Sequence, residues 1–271
     1  MMQQLTVIKV GGKIVEDENS LQQLLGDFAA IPESKVLVHG GGRSATKLAA
    51  ELGIESHMIG GRRITDANML RVVAMVYGGF VNKNIVARLQ ALGVNALGLT
   101  GADMNVINAS KRPPVTVEAA VLGEASDRTV DFGYVGDVNY CDGTRLASII
   151  SAHIVPVMAP LTHDGKGHLL NTNADSIAAE TSKALSQFYD VTLVYCFEKS
   201  GVLSNPNDDS SVIPHITEAD FEKLKAEGVI QGGMIPKIEN ALSACRAGVS
   251  KVIITRADRI GKSGGTIITL K

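Results

Sequence analysis

Short runs rich in aliphatic and β-branched residues recur at 5–10, 35–39, 94–99, 154–157, 191–196 and 252–255, each with the length and composition of a strand. Between them, residues 20–30, 44–52, 67–92, 174–185 and 237–247 carry apolar side chains at helical spacing. Strands that alternate with helices predict a mainly parallel sheet covered on both faces, an α/β fold. One stretch departs from the rhythm. Over 105–142, Val115, Val117, Val130, Phe132, Tyr134 and Val138 alternate with polar residues and are punctuated by glycine, which predicts β-hairpins inserted on one side of the sheet. The polar run 161–168 reads as a turn before a new helix. The expectation is one domain over 1–271, with an N-lobe at 1–165 and a C-lobe at 166–271 sharing one continuous sheet.

Composition narrows the partners. The 271 residues are 45% hydrophobic, enough for a large core, and 26 Lys+Arg against 28 Asp+Glu leave a formal charge of -2. No global basic field marks a nucleic-acid or membrane surface, so an anionic ligand must be gathered locally. Aromatics are 4% and Trp is absent, which leaves little to stack on bases. No apolar run reaches the ~20 residues of a membrane span. The chain runs early into a strand-like segment without a basic n-region, so no secretory signal is expected. Its 3 cysteines, Cys141, Cys196 and Cys245, are too widely spaced for a zinc or disulfide pattern and predict buried thiols in a reducing, cytoplasmic compartment.

Local motifs gather the anions. Lys9-Val10-Gly11-Gly12 ends the first strand on a lysine and two glycines, a geometry that lets backbone N–H groups approach phosphate oxygens. A surface lysine beside an ordinary turn reads equally well. His39-Gly40-Gly41-Gly42 ends the second strand before a helix, where anion binding at the helix start or a tight turn would each explain the glycines. Gly60-Gly61-Arg62-Arg63 offers guanidinium forks suited to carboxylates, or a solvated basic turn. Asn171, Asn173 and Asp175 open a helix, either as ligand contacts or as caps. Gly232-Gly233-Met234-Ile235-Pro236-Lys237 starts another helix with a lysine that opposes the macrodipole, which an anion held between it and the helix end would explain. Two motifs mislead. Gly40, Gly42 and Ala45 satisfy a dinucleotide fingerprint and support an alternative nicotinamide-dependent oxidoreductase, but that fingerprint leaves Lys9 unexplained. Gly261-Lys262-Ser263 resembles the end of a Walker A loop, yet Arg256 stands where its first glycine belongs.

Taken in order, these segments resemble the amino acid kinase family over nearly the whole chain. The resemblance implies a three-layer αβα sandwich and ATP-dependent phosphorylation of the side-chain carboxylate of N-acetyl-L-glutamate, an early step of arginine biosynthesis. N-succinyl-L-glutamate is the alternative acceptor. It implies Lys9 and Lys237 as catalytic lysines organised by Asp175. Gly41, Gly42, Arg63, Asn171 and Asn173 would face the acceptor, Arg63 on its α-carboxylate. Gly11, Gly12, Glu198, Gly201, Leu203 and Gly233 would face ATP, with Mg²⁺ carried by the nucleotide and no separate metal site. Residues 132–138 resemble a hairpin that roofs the acceptor. Small molecules are the expected partners, and a homodimer without arginine feedback the expected assembly. Departures from the family pattern are Arg62, where an uncharged residue is usual, Glu198 in place of an aspartate, and a short tail from Arg256 that lacks a histidine-bearing helix.

Overall fold

A computed structural model describes residues 2–122, 126–262 and 264–271. Its central sheet is eight-stranded. The strands are β1 (Gln4–Val10), β2 (Ser34–His39), β3 (Ala96–Leu99), β4 (Val155–Met158), β5 (Asp190–Phe197), β6 (His215–Ile216), β7 (Lys251–Arg256) and β8 (Thr266–Ile268). Their spatial order is β6-β8-β7-β5-β1-β2-β4-β3, and every neighbouring pair is parallel except β7 with β8. The first strand therefore lies at the centre, flanked by β2 from the first half of the chain and β5 from the second.

Alternation along each strand sends side chains to two separate cores. Leu5 and Val7 of β1, Val36 and Val38 of β2, and Leu193 and Tyr195 of β5 face one core with the helices Gly143–Ser151, Ala174–Leu185, Glu218–Ala226 and Met234–Arg246. Ile8 and Val10, Leu37, and Val194 and Cys196 face the other, with the helices Glu18–Ala29 and Gly42–Glu51 and the long helical run 67–91. The result is a three-layer αβα sandwich with a mainly parallel sheet.

The inserted segment forms hairpins, as its alternation predicts. Ile107–Lys111 pairs with Gly136–Cys141, and Val115–Val117 with Arg128–Val130, both antiparallel. The polar run at 161–168 is not a turn into a helix. It is the first strand and the loop of a further hairpin, in which Leu161–His163 pairs with Leu169–Asn171 and Asp164 holds the loop by accepting from the backbone N–H groups of Lys166 and His168. The helices Gly143–Ser151 and Glu218–Ala226 were not anticipated. The second had a legible start, because Thr217 and Asp220 form a capping box. The two-residue strand β6 is too short for any pattern to reveal. Among the described residues no helix is long and apolar enough to cross a membrane.

One buried polar contact ties the edge of this sheet to its centre. Asn82 donates from Nδ2 to His39 Nε2 at the end of β2 (3.1 Å) and to the Val157 carbonyl of β4 (2.9 Å). A Cβ on Gly98 of β3 would lie 1.9 Å from Asn82 Oδ1, and Asn82 cannot swing away without losing both bonds. Gly98→Ala is expected to cost about 1–3 kcal/mol, the usual penalty for overpacking, read as a lower urea midpoint at unchanged slope.

Candidate active site

The carboxyl ends of β1, β2 and β5 converge at the middle of the sheet, where parallel α/β folds place their ligands. Lys9 shares the face of Leu5 and Val7, so its side chain runs toward the helix Ala174–Leu185. There its Nζ lies 2.8 Å from Asp175 Oδ1. That oxygen is buried and has no aligned hydrogen-bond donor, so its partner is the lysine charge alone. Asp175 sits in the first helical turn, where the macrodipole favours a carboxylate. Asn173 caps the same helix, accepting from the Asp175 N–H at 2.7 Å. Capping thus accounts for the side-chain oxygen of Asn173, while the residue also lines the cavity.

Lys237 reaches the cluster from the other side. Burial lowers its ammonium below the ordinary lysine value, Asp175 opposes that shift and Lys9 reinforces it. The helix start beside it is not open to an anion. The N–H groups of Met234 and Ile235 are bonded to the carbonyls of Gln231 and Gly232, and Pro236 has none. What Lys237 offers is its charge. Gly233, the residue preceding this helix, is exposed.

The two glycine turns pack back to back. A Cβ on Gly40 would lie 3.0 Å from the Gly12 nitrogen, one on Gly12 3.4 Å from the Gly42 nitrogen, and one on Gly41 2.9 Å from the Tyr77 ring. Gly11 is different, because a Cβ there meets nothing within 4 Å, so its backbone borders open space. The helix that follows Gly41 is capped from within the protein. Glu16 accepts from the backbone N–H of Ser44 (2.5 Å) and from its hydroxyl (3.0 Å). This carboxylate takes the position that a dinucleotide fingerprint reserves for pyrophosphate, and Ala45 is buried in the core. The nicotinamide reading loses its binding site.

A cavity of about 480 Å³ extends from Lys9 and Asp175, past Gly40–Gly42 and Asn171–Asn173, to Arg62, Arg63 and Arg112. Arg63 is 7% exposed. Its Nη2 donates to the Gly42 carbonyl (2.7 Å) and Thr46 Oγ1 (2.9 Å), and its Nη1 to Ser56 Oγ. All these partners are neutral, so among the described residues no carboxylate balances the guanidinium. Asn171 donates to Thr65 Oγ1 at 2.9 Å, which fixes its amide at the cavity wall. Val135–Val138, from the inserted hairpins, form the opposite wall. Arg112 is held in a two-pronged pair by Asp137. Arg62 makes no hydrogen bond or ion pair with a described residue, and burial, then the neighbouring Arg112, lower its guanidinium from the ordinary value, against Asp137.

The remaining expected residues lie elsewhere. Glu198 borders a second cavity of about 410 Å³ together with Gly11, Gly12 and Gly42. It is paired with Lys13 at 3.0 Å, and that lysine holds its carboxyl below the usual range. Gly201 and Leu203 are buried. A Cβ on Gly201 would lie 2.8 Å from both Thr266 Oγ1 and Val212 Cγ1, Leu203 bridges to Val212, and neither position lines the two cavities. Lys262 is occupied with Asp27 at 2.9 Å, and Ser263 lies outside the described residues. Sequence reasoning missed Glu16, Tyr77, Arg112 and Asn82. Tyr77 belongs to a π-helical stretch, Ala74–Val81, and such widened turns gather at functional sites without a linear signature.

His39 underlies the second glycine turn. It is fully buried, and its Nδ1 donates to the Gly40 carbonyl at 2.8 Å, which leaves Nε2 to accept from Asn82. Burial lowers its pKa from 6.5 to about 4. Between those values the unfolded chain binds the proton and the folded chain does not, so stability rises with pH across that window and falls as pH drops. The expected loss is roughly 3 kcal/mol at about 1.4 kcal/mol per pH unit. Urea unfolding from pH 7 to pH 4 should show this slope in wild type and a shallower one in His39→Gln.

The sequence profile of the amino acid kinase family matches residues 4–256. Acetylglutamate kinase of Bacteroides fragilis is 65% identical over 268 residues, covering 99% of this chain and 98% of that protein. Among solved structures, smu.665 of Streptococcus mutans is 28% identical with a TM-score of 0.75, covering 98% of this chain and 99% of that one. Giardia carbamate kinase is 14% identical with a TM-score of 0.68, covering 100% and 99%, a likeness of fold.

Proposed function

The chain belongs to the amino acid kinase family, and on that premise we propose that it transfers the γ-phosphoryl group of ATP to the side-chain carboxylate of N-acetyl-L-glutamate, an early step of arginine biosynthesis. One observation carries the reading. A single cavity has Lys9 and Asp175 at one end, with Lys237 within electrostatic reach of both, and at the other a buried arginine that no carboxylate among the described residues balances. An amino-acid acceptor with two carboxylates needs such a pair of poles, one to hold it and one where it reacts.

A carboxylate is ionised at neutral pH and needs no base, so the work is to bring two anions into line and spread the transferring charge. Arg63 holds the α-carboxylate. That orients the side-chain carboxylate toward Lys9, whose charge meets the transferring phosphoryl oxygens. Asp175 limits the repulsion between Lys9 and Lys237, and Lys237 faces the ATP phosphates. The backbone of Gly11, Gly12, Gly41 and Gly42 allows the phosphates close approach. Mg²⁺ bound to ATP would supply neutralisation of the phosphate oxygens. The enzyme would act in the cytoplasm as a homodimer, for which the exposed Met75 and Phe80 of one helix offer an apolar surface.

Lys9→Ala and Lys237→Ala are each expected to lower kcat by about 10²-fold or more, the usual cost of removing one charge-stabilising donor, with circular dichroism unchanged. Wild-type turnover in either variant would remove that lysine from the mechanism.

Arg62 favours a second reading of the acceptor. It lines the cavity beside Arg63 and Arg112, and among the described residues no carboxylate pairs with its side chain. An acyl group that ends in a carboxylate, as in N-succinyl-L-glutamate, would complete it. A fork built for a carboxylate discriminates strongly against an acceptor that lacks one. On this reading kcat/KM favours succinyl- over acetyl-glutamate in wild type, and Arg62→Leu reverses the preference. An acetyl preference in wild type that survives the substitution would leave Arg62 as a solvated charge.

A further inference from the structure

β5 ends with two aromatic side chains on one face. The Tyr195 and Phe197 rings stack with centroids 6.0 Å apart and planes at 19°. Lys9 stands opposite Tyr195 in the β1–β5 register, and its ammonium lies 5.7 Å from the Phe197 centroid. The Lys237 ammonium, arriving from the helix Met234–Arg246, lies 4.0 Å from the same centroid. One ring therefore serves two cations.

The two lysines are not held alike. Lys9 is 2.8 Å from Asp175. The Lys237 ammonium has no hydrogen bond or ion pair with any described residue; the Phe197 face at 4.0 Å and the charge of Asp175 are what attract it. Its four-carbon stem has many rotamers, and a flexible ammonium must be fixed by something if it is to meet a phosphate. An aromatic face attracts a cation within about 6 Å through its quadrupole, most strongly when the pair is desolvated. Burial around Lys237 meets that condition. The ring takes one side of the ammonium and leaves its other N–H groups free for a ligand.

We propose that Phe197 is a positioning residue, whose ring fixes the Lys237 ammonium at the phosphate end of the cavity so that it meets ATP without first being ordered. The inference rests on the kinase reading of the site and adds a residue to it. Phe197 packs against the same core as Met234 and Ile235 at the start of the Lys237 helix, so a purely structural role is the competing explanation, and the test must separate the two.

The test is a double-mutant cycle read by ATP affinity in calorimetry, which needs no acceptor, and by kcat in a coupled ADP-release assay. Phe197→Leu keeps apolar bulk and removes the quadrupole; it is expected to weaken ATP binding about 2- to 30-fold, the span of cation–π strengths, and to lower kcat in the same sense. Phe197→Tyr restores wild-type affinity. In a Lys237→Ala background the effect of Phe197→Leu is much reduced, what remains coming from the longer contact with Lys9. Undiminished affinity in Phe197→Leu, equal damage from Tyr and Leu, or an undiminished effect without Lys237 would each overturn the proposal. A wild type that binds ATP but releases no ADP with acyl-glutamate would sink the acceptor assignment and leave the affinity cycle to decide on Phe197.

Discussion

Two lysine ammonium groups brought toward one point repel, and the organisation of this protein follows from how that repulsion is managed. Lys9 comes from the central strand, Lys237 from a helix more than two hundred residues later, and Asp175 lies between their electrostatic reach at 2.8 Å from the first. The carboxylate is placed in the first turn of its helix, where the backbone dipole helps to keep it charged. Half-buried surroundings strengthen each of these interactions relative to water. An anion with several oxygens completes the arrangement, and a transferring phosphoryl group is such an anion.

The glycine turns solve a different problem, that of proximity. Gly40 and Gly41 let the backbone approach its neighbours so closely that a methyl group on the first would press on the Gly12 nitrogen of the facing turn and one on the second on the Tyr77 ring. Beneath them, neutral His39 bridges Gly40 and Asn82, so the turn at the end of β2 is anchored through the core to the edge of the sheet. Glu16 completes the anchoring from β1's side by capping the next helix. The nearby helix ends are thus largely satisfied by the protein itself. Charge on side chains, rather than open helix termini, is what the site has left to offer a ligand.

The opposite end of the cavity is governed by guanidinium groups in unequal states. Arg63 is bonded to neutral partners, Arg112 is matched by Asp137, and the Arg62 side chain is crowded by Arg112 with no bonded partner among the described residues. Arg63 and Arg112 are held in place by their partners, and fixed forks can read the number and placement of carboxylates on a ligand. The inserted hairpins supply Arg112, Asp137 and the wall at Val135–Val138. On the proposed function, acceptor recognition would depend on the part of the chain that lies outside the regular alternation of strand and helix.

The sequence by itself determined the sandwich and most of the charged poles. Periodicity marked β1–β5 and β7, because alternating and helical spacing report local burial, and Lys9, Arg63, Asp175 and Lys237 stood out beside glycine or helix starts. Only the tertiary structure decided how those positions are used. It used the side-chain oxygen of Asn173 as a helix cap, set Gly201 against Thr266 and Val212, and turned residues 164–168 into a hairpin loop. It also brought in Glu16, Tyr77, Asn82, Arg112 and Phe197. The reason is physical: a cap supplied from 28 residues away, a ring shared by two cations, or a guanidinium matched across a hairpin is a contact between distant segments. No spacing within one segment encodes such a contact.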